Sequence, residues 1–461
     1  MKKTAILLSI LVVVLFAAPG LIGFMAQNQY QEIIIGMQQA GIEVTRRDYR
    51  RGWFGSQAET EFKLALPRDL GVDGFTLSMH SDIVHGPLSP EGGMALASIG
   101  TYFMINGKPL FPDEENKVLN TKIGLGGSGK TLIDFPALKL AGKPGEPEIQ
   151  FSGANGELLF DTSFTQLDID LNVPAFWMGG GEGQSLKITG VTIGSESRSA
   201  RSSLRLGNGK LAVKRIDFVN PKRGVSLAID AIELFGDTKA EGDNITFTGN
   251  YSLNAITVNE INYGPAQIEL DLGNIHAAAA TKLKNEIQQL RRENLNQQEQ
   301  RMAMTNLLVE VGTDLLRANP KLDVKRFYVK TPDGDVDGNL TLVTDGLLLS
   351  DIGNTQAILN KLNADASIRV PEKLLRSMLG RQANQSFRQH FKMRKQMDEE
   401  LAMPTELEIQ DLVQDLVQQQ LGNLLRQNML IRDGAYISSS AKLGGGLLSV
   451  NGKTIPLNLV R

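Results

Sequence analysis

An alternation of apolar and polar residues dominates the sequence from about residue 42 to residue 275. Short runs such as residues 75–79 (FTLSM) and 167–171 (LDIDL) place apolar side chains at every second position. Glycine, proline, asparagine and aspartate separate the runs. Because successive side chains of a strand point to opposite faces, this pattern predicts antiparallel strands with one apolar face and one face in water.

A second pattern interrupts this alternation at four places, where apolar residues recur at relative positions 0, 2, 5 and 7. The four copies are Leu186, Ile188, Val191 and Ile193; Leu211, Val213, Ile216 and Phe218; Leu227, Ile229, Ile232 and Leu234; and Tyr251, Leu253, Ile256 and Val258. A β-bulge at the step of three would keep all four residues on one face, whereas a strand crossing between two layers would use both faces. The irregular spacing of the copies predicts a long curved meander and not a regular solenoid.

The N-terminus carries two lysines followed by a long apolar run. No charged residue lies between Lys3 and Glu32. Residues 4–26 would extend about 34 Å as an α-helix, which is enough to cross the hydrocarbon core of a bilayer. Lys2 and Lys3 favour a cytoplasmic N-terminus. We therefore predict a single transmembrane anchor over residues 1–26, with the rest of the chain outside the cytoplasm.

A cleaved signal peptide is the alternative, with residues 6–18 as its hydrophobic region. Cleavage after Ala18 would put Phe16 at the −3 position and Pro19 directly after the cut, which disfavours it. Both interpretations export the chain from Gln27 onward.

The remaining sequence predicts helices mixed with hairpins. Helical spacing indicates a short helix over 27–45, a helical region over 276–318, a short helix over 354–362 and a longer one over 371–397. Thr405 and Glu408 form a capping-box signature at the start of a further amphipathic helix. Hairpins are expected near 322–343, around a Thr-Pro-Asp-Gly turn, and at 436–460, around Asn451-Gly452, with a strand over 362–370.

The predicted fold class is therefore α+β. We expect an anchor at 1–26, a β-rich periplasmic region with a large curved antiparallel sheet at 27–275, a helix-rich mixed region at 276–430 and a C-terminal β-hairpin at 431–461.

Composition excludes several function classes. The sequence has no cysteine, which rules out disulfides, thiolate metal sites and cysteine nucleophiles. Its net charge of −3 argues against a protein that binds nucleic acid over its whole surface.

The stretch from Gly124 to Thr131 matches the P-loop pattern, but Pro136 would stop the helix that a phosphate site needs. A glycine-rich turn between two strands explains the same letters, and an exported location offers no nucleotide. We expect no nucleotide binding here.

Residues 333–338 (DGDVDG) resemble the start of a calcium-binding loop. Thr344 occupies the place where an EF-hand needs glutamate, so an acidic hairpin tip is the better interpretation. Strand alternation puts His80 and His85 on opposite faces, and His276 and His390 lie far away in sequence. The sequence thus assigns no catalytic, cofactor-binding or metal-binding residue.

Two basic clusters are possible membrane contacts. One is a helix face without acidic residues, and the other follows the anchor by about 20 residues. The first contains Lys373, Arg376, Arg381, Arg388, Lys392, Arg394 and Lys395, and the second Arg46, Arg47, Arg50 and Arg51. The alternatives are a surface helix compensated by residues 398–400 (DEE) and a polar strand face.

Three segments resemble the YdgA-like family of bacterial proteins of unknown function. They are residues 49–56 (YRRGWFGS), 85–87 (HGP) and 446–453 (GLLSVNGK), in the family's order and behind a similar N-terminal segment. The resemblance implies a single-span inner-membrane protein of Gram-negative bacteria with a large periplasmic part that self-associates. It implies no catalytic residue.

The expected function is that of a non-enzymatic envelope scaffold or binding module. Its curved sheet would bind a lipid, a lipoprotein or another hydrophobic partner, unless helices cover the apolar face as ordinary core. We expect no cofactor and no nucleic-acid partner, and a homo-oligomer is an open possibility. The alternative function is an envelope hydrolase whose site is assembled across the sheet.

Overall fold

The computed structural model describes residues 27, 30–31, 43–64, 75–90, 92–105, 107–111, 117–140, 148–180, 183–199, 204–292, 297–351, 354–397 and 405–455. The predicted anchor over residues 1–26 lies outside them. Of the helix predicted over 27–45, Gln27, Tyr30 and Gln31 are helical, and a strand already begins at Glu43. Within the described residues, no helix combines the length and the apolarity that crossing a membrane requires.

Strands fill the region in which the sequence alternates, as predicted. The first ten are β1 Glu43–Arg51, β2 Gly55–Leu64, β3 Phe75–His85, β4 Ala97–Ile105, β5 Lys108–Pro109, β6 Leu119–Ile123, β7 Gly129–Phe135, β8 Leu138–Leu140, β9 Glu148–Phe151 and β10 Ala154–Phe160. The next eight are β11 Gln166–Gly179, β12 Ser185–Ser199, β13 Arg205–Asn220, β14 Val225–Glu241, β15 Asn244–Leu253, β16 Ala255–Val258, β17 Ile261–Tyr263 and β18 Ala266–His276.

Helices and strands mix after residue 276, which confirms the predicted change of pattern. The helices are α1 Ala277–Arg292, α2 Gln297–Arg317, α3 Thr355–Asn360, α4 Glu372–Met397 and α5 Glu406–Arg426. The strands are β19 Lys321–Thr331, β20 Gly334–Thr344, β21 Leu362–Pro371, β22 Ile431–Asp433, β23 Tyr436–Gly444, β24 Leu447–Val450 and β25 Lys453–Ile455. The protein is thus β-rich, with a large antiparallel sheet and a mixed C-terminal region.

The chain forms two compact units. The first contains residues 1–227, 235–239 and 277–311, and the second contains residues 228–234, 240–276 and 312–461.

The first unit is an antiparallel ladder in which most strands pair with their neighbours in sequence. Its order is β1-β2-β3-β4-β6-β7-β10-β11-β12-β13. The short strands extend it locally, β5 on β4, and β9 on β11 with β8 beside it. This pairing confirms the predicted antiparallel meander.

The closed part of the first unit lies on one face of β1 to β4. Ala58, Ile83 and Ala97 are buried together there, and Tyr30 and Tyr49 pack against them. The Tyr30 hydroxyl lies 2.5 Å from Thr60 Oγ1 and donates to the Glu59 carbonyl at 3.2 Å. The segment that follows the predicted anchor therefore contacts the middle of β2.

The second unit contains a ladder with the order β15-β18-β19-β20-β21-β23-β24-β25, and β22 pairs with β23. The hairpin β19–β20 and the strand β21 confirm the predictions for residues 322–343 and 362–370. The predicted C-terminal hairpin around Asn451-Gly452 is present as β24–β25, and the strand β23, paired with β24, precedes it. Gly445 and Gly446, both with positive φ, supply the additional turn between β23 and β24.

Helix α5 of the second unit begins at a well-defined cap. Thr405 and Glu408 form the predicted capping box of α5, with each side chain bonded to the other residue's backbone amide. Helix α5 buries Ile409, Val417 and Leu421. Leu421 and Ile437 of β23 are each only 1% exposed, so this unit has a closed core.

Candidate functional site

Apolar side chains form adjacent rows on the three long strands β11, β12 and β13 of the first unit. Pairing places Leu171, Ile193 and Leu211 side by side across them. Three more rows follow: Val173, Val191 and Val213; Phe176, Ile188 and Ile216; and Met178, Leu186 and Phe218. We call these twelve side chains the apolar strip. Two copies of the recurring sequence pattern, in β12 and β13, therefore form one continuous surface.

The backbone is irregular at Gly190, in the middle of the strip. Gly190 has a left-handed φ of 64° and forms no pair with β11 or β13, whereas Val191 and Thr189 on either side do. Lys187 and Thr192 are both exposed, although strict alternation would put residues five apart on opposite faces. The same left-handed geometry recurs in β14 at Ala231 (φ 50°). Because β12 pairs with β11 and β13 in the same register on both sides of Gly190, no extra residue is inserted there, and a β-bulge does not explain the step of three in the pattern.

The strip is apolar but not closed. Val213 is 8% exposed, and the other eleven side chains are only half-buried. Large apolar surfaces that remain accessible to water mark binding sites more often than core. The opposite face carries polar groups, such as the ion pair between Arg215 and Asp217 at 2.7 Å, so the sheet is amphipathic here.

The size of the strip suits a hydrocarbon chain. From Leu171 to Met178 it extends about 23 Å along the strand and about 10 Å across three strands. One leaflet of a bilayer core is about 15 Å thick, so an acyl chain fits within the strip. Towards the end of β12 the rows give way to small residues, Ser195 and Ser197 opposite Gly209 and Gly207. The strip contains no titratable side chain. It can therefore bind a ligand by covering apolar surface but offers no group for acid–base catalysis.

The two histidines of β3 lie on opposite faces, as predicted. His80 stacks on Tyr102, with ring centroids 5.2 Å apart, and its Nε2 lies 3.9 Å from a Glu59 carboxylate oxygen. These residues line a hollow of about 70 Å³ on the polar face. His85 is buried, with Nε2 2.9 Å from Ser56 Oγ and Nδ1 3.1 Å from the Trp53 carbonyl oxygen.

The P-loop-like residues form a hairpin turn, as the alternative interpretation predicted. Ile123 of β6 pairs with Gly129 of β7, and the Gly124 amide donates to the Ser128 carbonyl. Lys130 forms an ion pair with Glu157. No strand-to-helix turn, which phosphate binding needs, occurs at this position.

The calcium-like residues lie at the tip of the β19–β20 hairpin. The Asp333 carboxylate forms an ion pair with Lys373, with 2.7 Å between Oδ1 and Nζ. The Asp335 amide donates a hydrogen bond to the Tyr436 hydroxyl at 3.3 Å. Within the part of the chain that the structure describes, no cluster of three histidine or acidic side chains could hold a metal ion.

The basic residues of α4 have acidic partners within the second unit. Lys373, Arg376 and Arg388 pair with Asp333, Glu372 and Glu406, respectively. The side chains of Lys392, Arg394 and Lys395, and the expected partners at 398–400, lie outside the described residues.

The strongest of these ion pairs involves Glu372 at the start of α4. Burial raises the pKa of the Glu372 carboxyl, but Arg376 and Arg432, both within 3 Å, outweigh it and hold the pKa below its ordinary value. Glu372 is therefore charged at neutral pH and joins α4 to β22.

The arginines of β1 line a polar strand face, which was one of the two predicted alternatives. Arg46 lies 3.8 Å from Glu59 and 3.7 Å from Glu61, and Arg50 lies 3.0 Å from Asp48.

The sequence did not predict the contact between segments 49–56 and 85–87, although both segments resemble the family. The two separate segments 49–56 and 85–87 meet, because His85 binds both Ser56 and the Trp53 carbonyl. The signal was the pairing of adjacent strands β2 and β3, which brings Ser56 beside Ile83. The contact leaves Trp53 and Phe54 exposed at the turn.

Comparison with known proteins places this fold in a family. A family described as bacterial protein of unknown function (DUF945) matches residues 1–458. Protein YdgA of Escherichia coli (strain K12) is 26% identical over 271 residues, which are 52% of this chain and 51% of that protein. The chain thus spans about half the length of this curated relative, and no solved structure matches it. Because the family match covers nearly the whole sequence, the chain belongs to the DUF945 family of bacterial proteins of unknown function.

Proposed function

We propose that the protein is a non-enzymatic binding module of the Gram-negative cell envelope. Residues 1–26 anchor it in the inner membrane, and the bulk of the chain lies in the periplasm. The apolar strip holds an acyl chain of a lipid or lipoprotein. The observation that carries this proposal is the half-buried state of eleven of the twelve large apolar side chains of the strip.

Energetics support a bound apolar ligand. Covering a fully exposed leucine, isoleucine or phenylalanine side chain contributes about 1.5–3 kcal/mol. The residues of the strip are only half-buried, so part of each side chain is still exposed to water. A ligand lying along the rows would cover that part and contribute the corresponding fraction of this free energy. Because an acyl chain contacts several rows at once, these contributions sum over many side chains.

Photocrosslinking of the full chain in cells tests the strip. A photoreactive amino acid at Ile193, on the strip, is expected to crosslink to lipid, whereas the same residue at the adjacent exposed Thr192 is not. The two sites differ only in the face to which they point, so Thr192 is a matched control. Equal lipid labelling at both positions, or none at Ile193, contradicts the proposal.

Fusion of alkaline phosphatase to the C-terminus tests the location. The reporter is active only outside the cytoplasm, so an anchored periplasmic chain gives an active fusion that stays in the membrane pellet after alkaline extraction. An inactive but well-expressed fusion contradicts the periplasmic location. Release of a shorter soluble form points to a cleaved signal peptide.

The alternative, an envelope hydrolase, has its best candidate in Glu59 and His80. The hollow that they line measures about 70 Å³, whereas ligand pockets usually measure about 300–1,000 Å³. It lies on the open polar face, and its nearest His–carboxylate distance, 3.9 Å, is longer than a hydrogen bond. These dimensions support the binding module as the preferred proposal.

A further inference from the structure

The apolar strip ends beside a charged side chain, near the hairpin that joins β12 to β13. Beyond the row that contains Leu171, strand pairing adds three more rows. They are Ile169, Ser195 and Gly209; then Leu167, Ser197 and Gly207; then Ser199 beside Arg205. The pairing of β12 is unbroken from Val191 to Ser199, so these rows share the face of the Leu171 row.

The Arg205 guanidinium lies over this face. Its Nη1 donates to Ser197 Oγ at 3.2 Å, and its Nη2 donates to the Phe164 carbonyl at 2.6 Å. Because Ser197 belongs to a row nearer to the strip, the side chain points back towards the apolar rows. A guanidinium carries five N–H donors, so most of them stay available to a ligand. The two hydrogen bonds hold the group in place, which lowers the conformational entropy lost on binding.

No acidic side chain neutralises Arg205 in the part of the chain that the structure describes. Both of its hydrogen-bond acceptors are uncharged, and no described carboxylate pairs with it. The hairpin residues 200–203 (ARSS) add a second arginine and no acid. Arg215, the next arginine of β13, is by contrast paired with Asp217 at 2.7 Å. An anionic group at this end of the strip therefore has a cation to bind.

The neighbouring serines leave anion binding to Arg205. The Ser195 hydroxyl donates to the Asn208 carbonyl and the Ser197 hydroxyl donates to the Leu167 carbonyl, both at 3.1 Å. Since a hydroxyl has one proton, neither serine can donate to a ligand at the same time. The ligand group that fits is thus one that a guanidinium binds best, which is a phosphate or a carboxylate.

Small residues keep the space between the apolar rows and Arg205 open. A Cβ on Gly207 would lie 2.0 Å from the Glu196 carbonyl oxygen, so close strand packing requires glycine there. Gly209 is different, because the nearest atom to a Cβ at this position is Ser195 Oγ at 3.9 Å, an ordinary contact. Its φ also lies outside the left-handed region. Strand packing therefore does not require glycine at 209, and the missing side chain leaves room above the sheet.

The dimensions of this surface match a phospholipid. From Val173 to Leu167 it extends about 20 Å along the strand, and three strands make it about 10 Å wide. This width accommodates two hydrocarbon chains side by side, whereas a fatty acid has one. The small residues leave room for a glycerol group, beyond which a phosphate reaches Arg205. The glyceryl group of a lipoprotein carries no phosphate, so Arg205 would gain no ion pair from it.

We propose that the strip binds a phospholipid in one orientation, with its acyl chains along the apolar rows and its phosphate at Arg205. The inference rests on the proposed binding of lipid by the strip and adds the chemistry of the headgroup. The guanidinium and the phosphate form charge-assisted hydrogen bonds, which fix the orientation of the lipid on the sheet.

Photocrosslinking of the full chain in cells, with the mass of the adduct measured, tests the headgroup. The photoreactive residue replaces Ile193, and the adduct is expected to have the mass of a phospholipid. R205Q is expected to reduce its yield about tenfold, because a hydrogen-bonded ion pair is lost. R198Q is the matched control. Arg198 is exposed in β12 beside Ser197 and points to the other face, so R198Q removes the same charge from the same end and should leave the yield unchanged.

A second pair of variants leaves Arg205 in place, since Arg205 also binds the Phe164 carbonyl. Gly209→Leu fills the space in front of the guanidinium and is expected to reduce the phospholipid adduct several-fold. Gly194→Leu is its control in the adjacent strand. Gly194 lies on the other face, and no atom lies within 4 Å of a Cβ there, so this variant should keep the yield of the unchanged chain.

The possible outcomes separate the two proposals. Absence of any lipid adduct at Ile193 in the chain with Arg205 overturns lipid binding by the strip and the headgroup assignment with it. A phospholipid adduct with equal yields in R205Q and Gly209→Leu overturns the headgroup assignment alone. An equal loss in R205Q and R198Q assigns the effect to overall charge and also overturns it. An adduct with the mass of a fatty acid or of a lipoprotein rejects the phospholipid but leaves the binding of acyl chains intact.

Discussion

Two faces of the first unit contrast sharply. On β1 to β4, small and polar residues such as Ser56, Thr60 and Thr101 are buried. On β11 to β13, isoleucine, leucine and phenylalanine are only half-buried. The apolar side chains of β11 to β13 are therefore more accessible to water than these polar side chains of β1 to β4. Residue type thus does not decide which face is core, and closure by other parts of the chain does.

Hydrogen bonding explains how the polar face can be closed. Ser81 and Thr101 hydroxyls lie 2.8 Å apart, and the Ser56 hydroxyl is bonded to His85. The hydroxyls of Ser56, Ser81 and Thr101 have partners on the adjacent strand, and that of Thr60 has the Tyr30 hydroxyl, so the burial of these groups carries no unpaired penalty. Tyr30 and Tyr49 then cover the face.

The same substitution on both faces gives the largest expected difference. Ile83→Ala, at a site 5% exposed, empties closed core and is expected to lower the free energy of unfolding by about 3 kcal/mol. Ile193→Ala removes a half-buried side chain and is expected to cost about 1 kcal/mol. Urea denaturation of both variants measures the difference. Equal costs would show that the strip is as closed as β1 to β4.

The second prediction concerns the buried histidine. His85→Ala is expected to cost about 2–3 kcal/mol, because it leaves a cavity and removes the partners of Ser56 and the Trp53 carbonyl. His80→Ala on the polar face is the control, with an expected cost below about 1 kcal/mol. A larger loss of unfolding free energy for His80→Ala than for His85→Ala would contradict the assignment of His85 to the buried face and His80 to the polar face.

The sequence predicted the strands and their facing because alternation has a period that only strands share. It also located the capping box at Thr405 and the turn at Gly124, since both depend on local residues. The additional C-terminal turn escaped prediction, because consecutive glycines at 444–446 interrupt an otherwise continuous strand pattern without a typical turn pair.

The candidate site was less predictable, for a physical reason. Alternation shows that one face of β11 to β13 is apolar, but it carries no information on what covers that face. The contact between His85 and Ser56 joins residues 29 apart in sequence and depends on the register of β2 and β3. Both features follow from tertiary structure, which a single sequence encodes only indirectly.

The third prediction concerns Gly190, the residue with a left-handed backbone in the middle of the strip. Gly190→Ala places a Cβ in a left-handed conformation and within 2.8 Å of Lys214 Cβ, so we expect a cost of about 1–2 kcal/mol. Gly194→Ala, in the same strand with open space around the new Cβ, is the matched control and is expected to be nearly neutral. Thermal unfolding of the two variants compares them, and indistinguishable melting temperatures would contradict the left-handed, crowded conformation at Gly190.

The smallest effect is expected for Tyr30, whose ring covers the closed face. Tyr30→Phe keeps the ring but removes the bonds to Thr60 and the Glu59 carbonyl, at an expected cost of about 1 kcal/mol. Burial raises the pKa of the Tyr30 phenol, and the hydrogen bond to Thr60 offsets this only in part. Because the folded state holds the phenolic proton more tightly than the unfolded chain, Tyr30 stabilises the fold fully below about pH 10 and less as the pH rises above it.

This pH dependence separates a covering residue from an incidental contact. In urea titrations between neutral pH and about pH 11, the wild-type chain is expected to lose more stability than Tyr30→Phe, since the variant has no phenol to ionise at this site. Parallel curves for wild type and Tyr30→Phe would mean that Tyr30 does not close the β1–β4 face, and the contrast with the open strip would then need another cause.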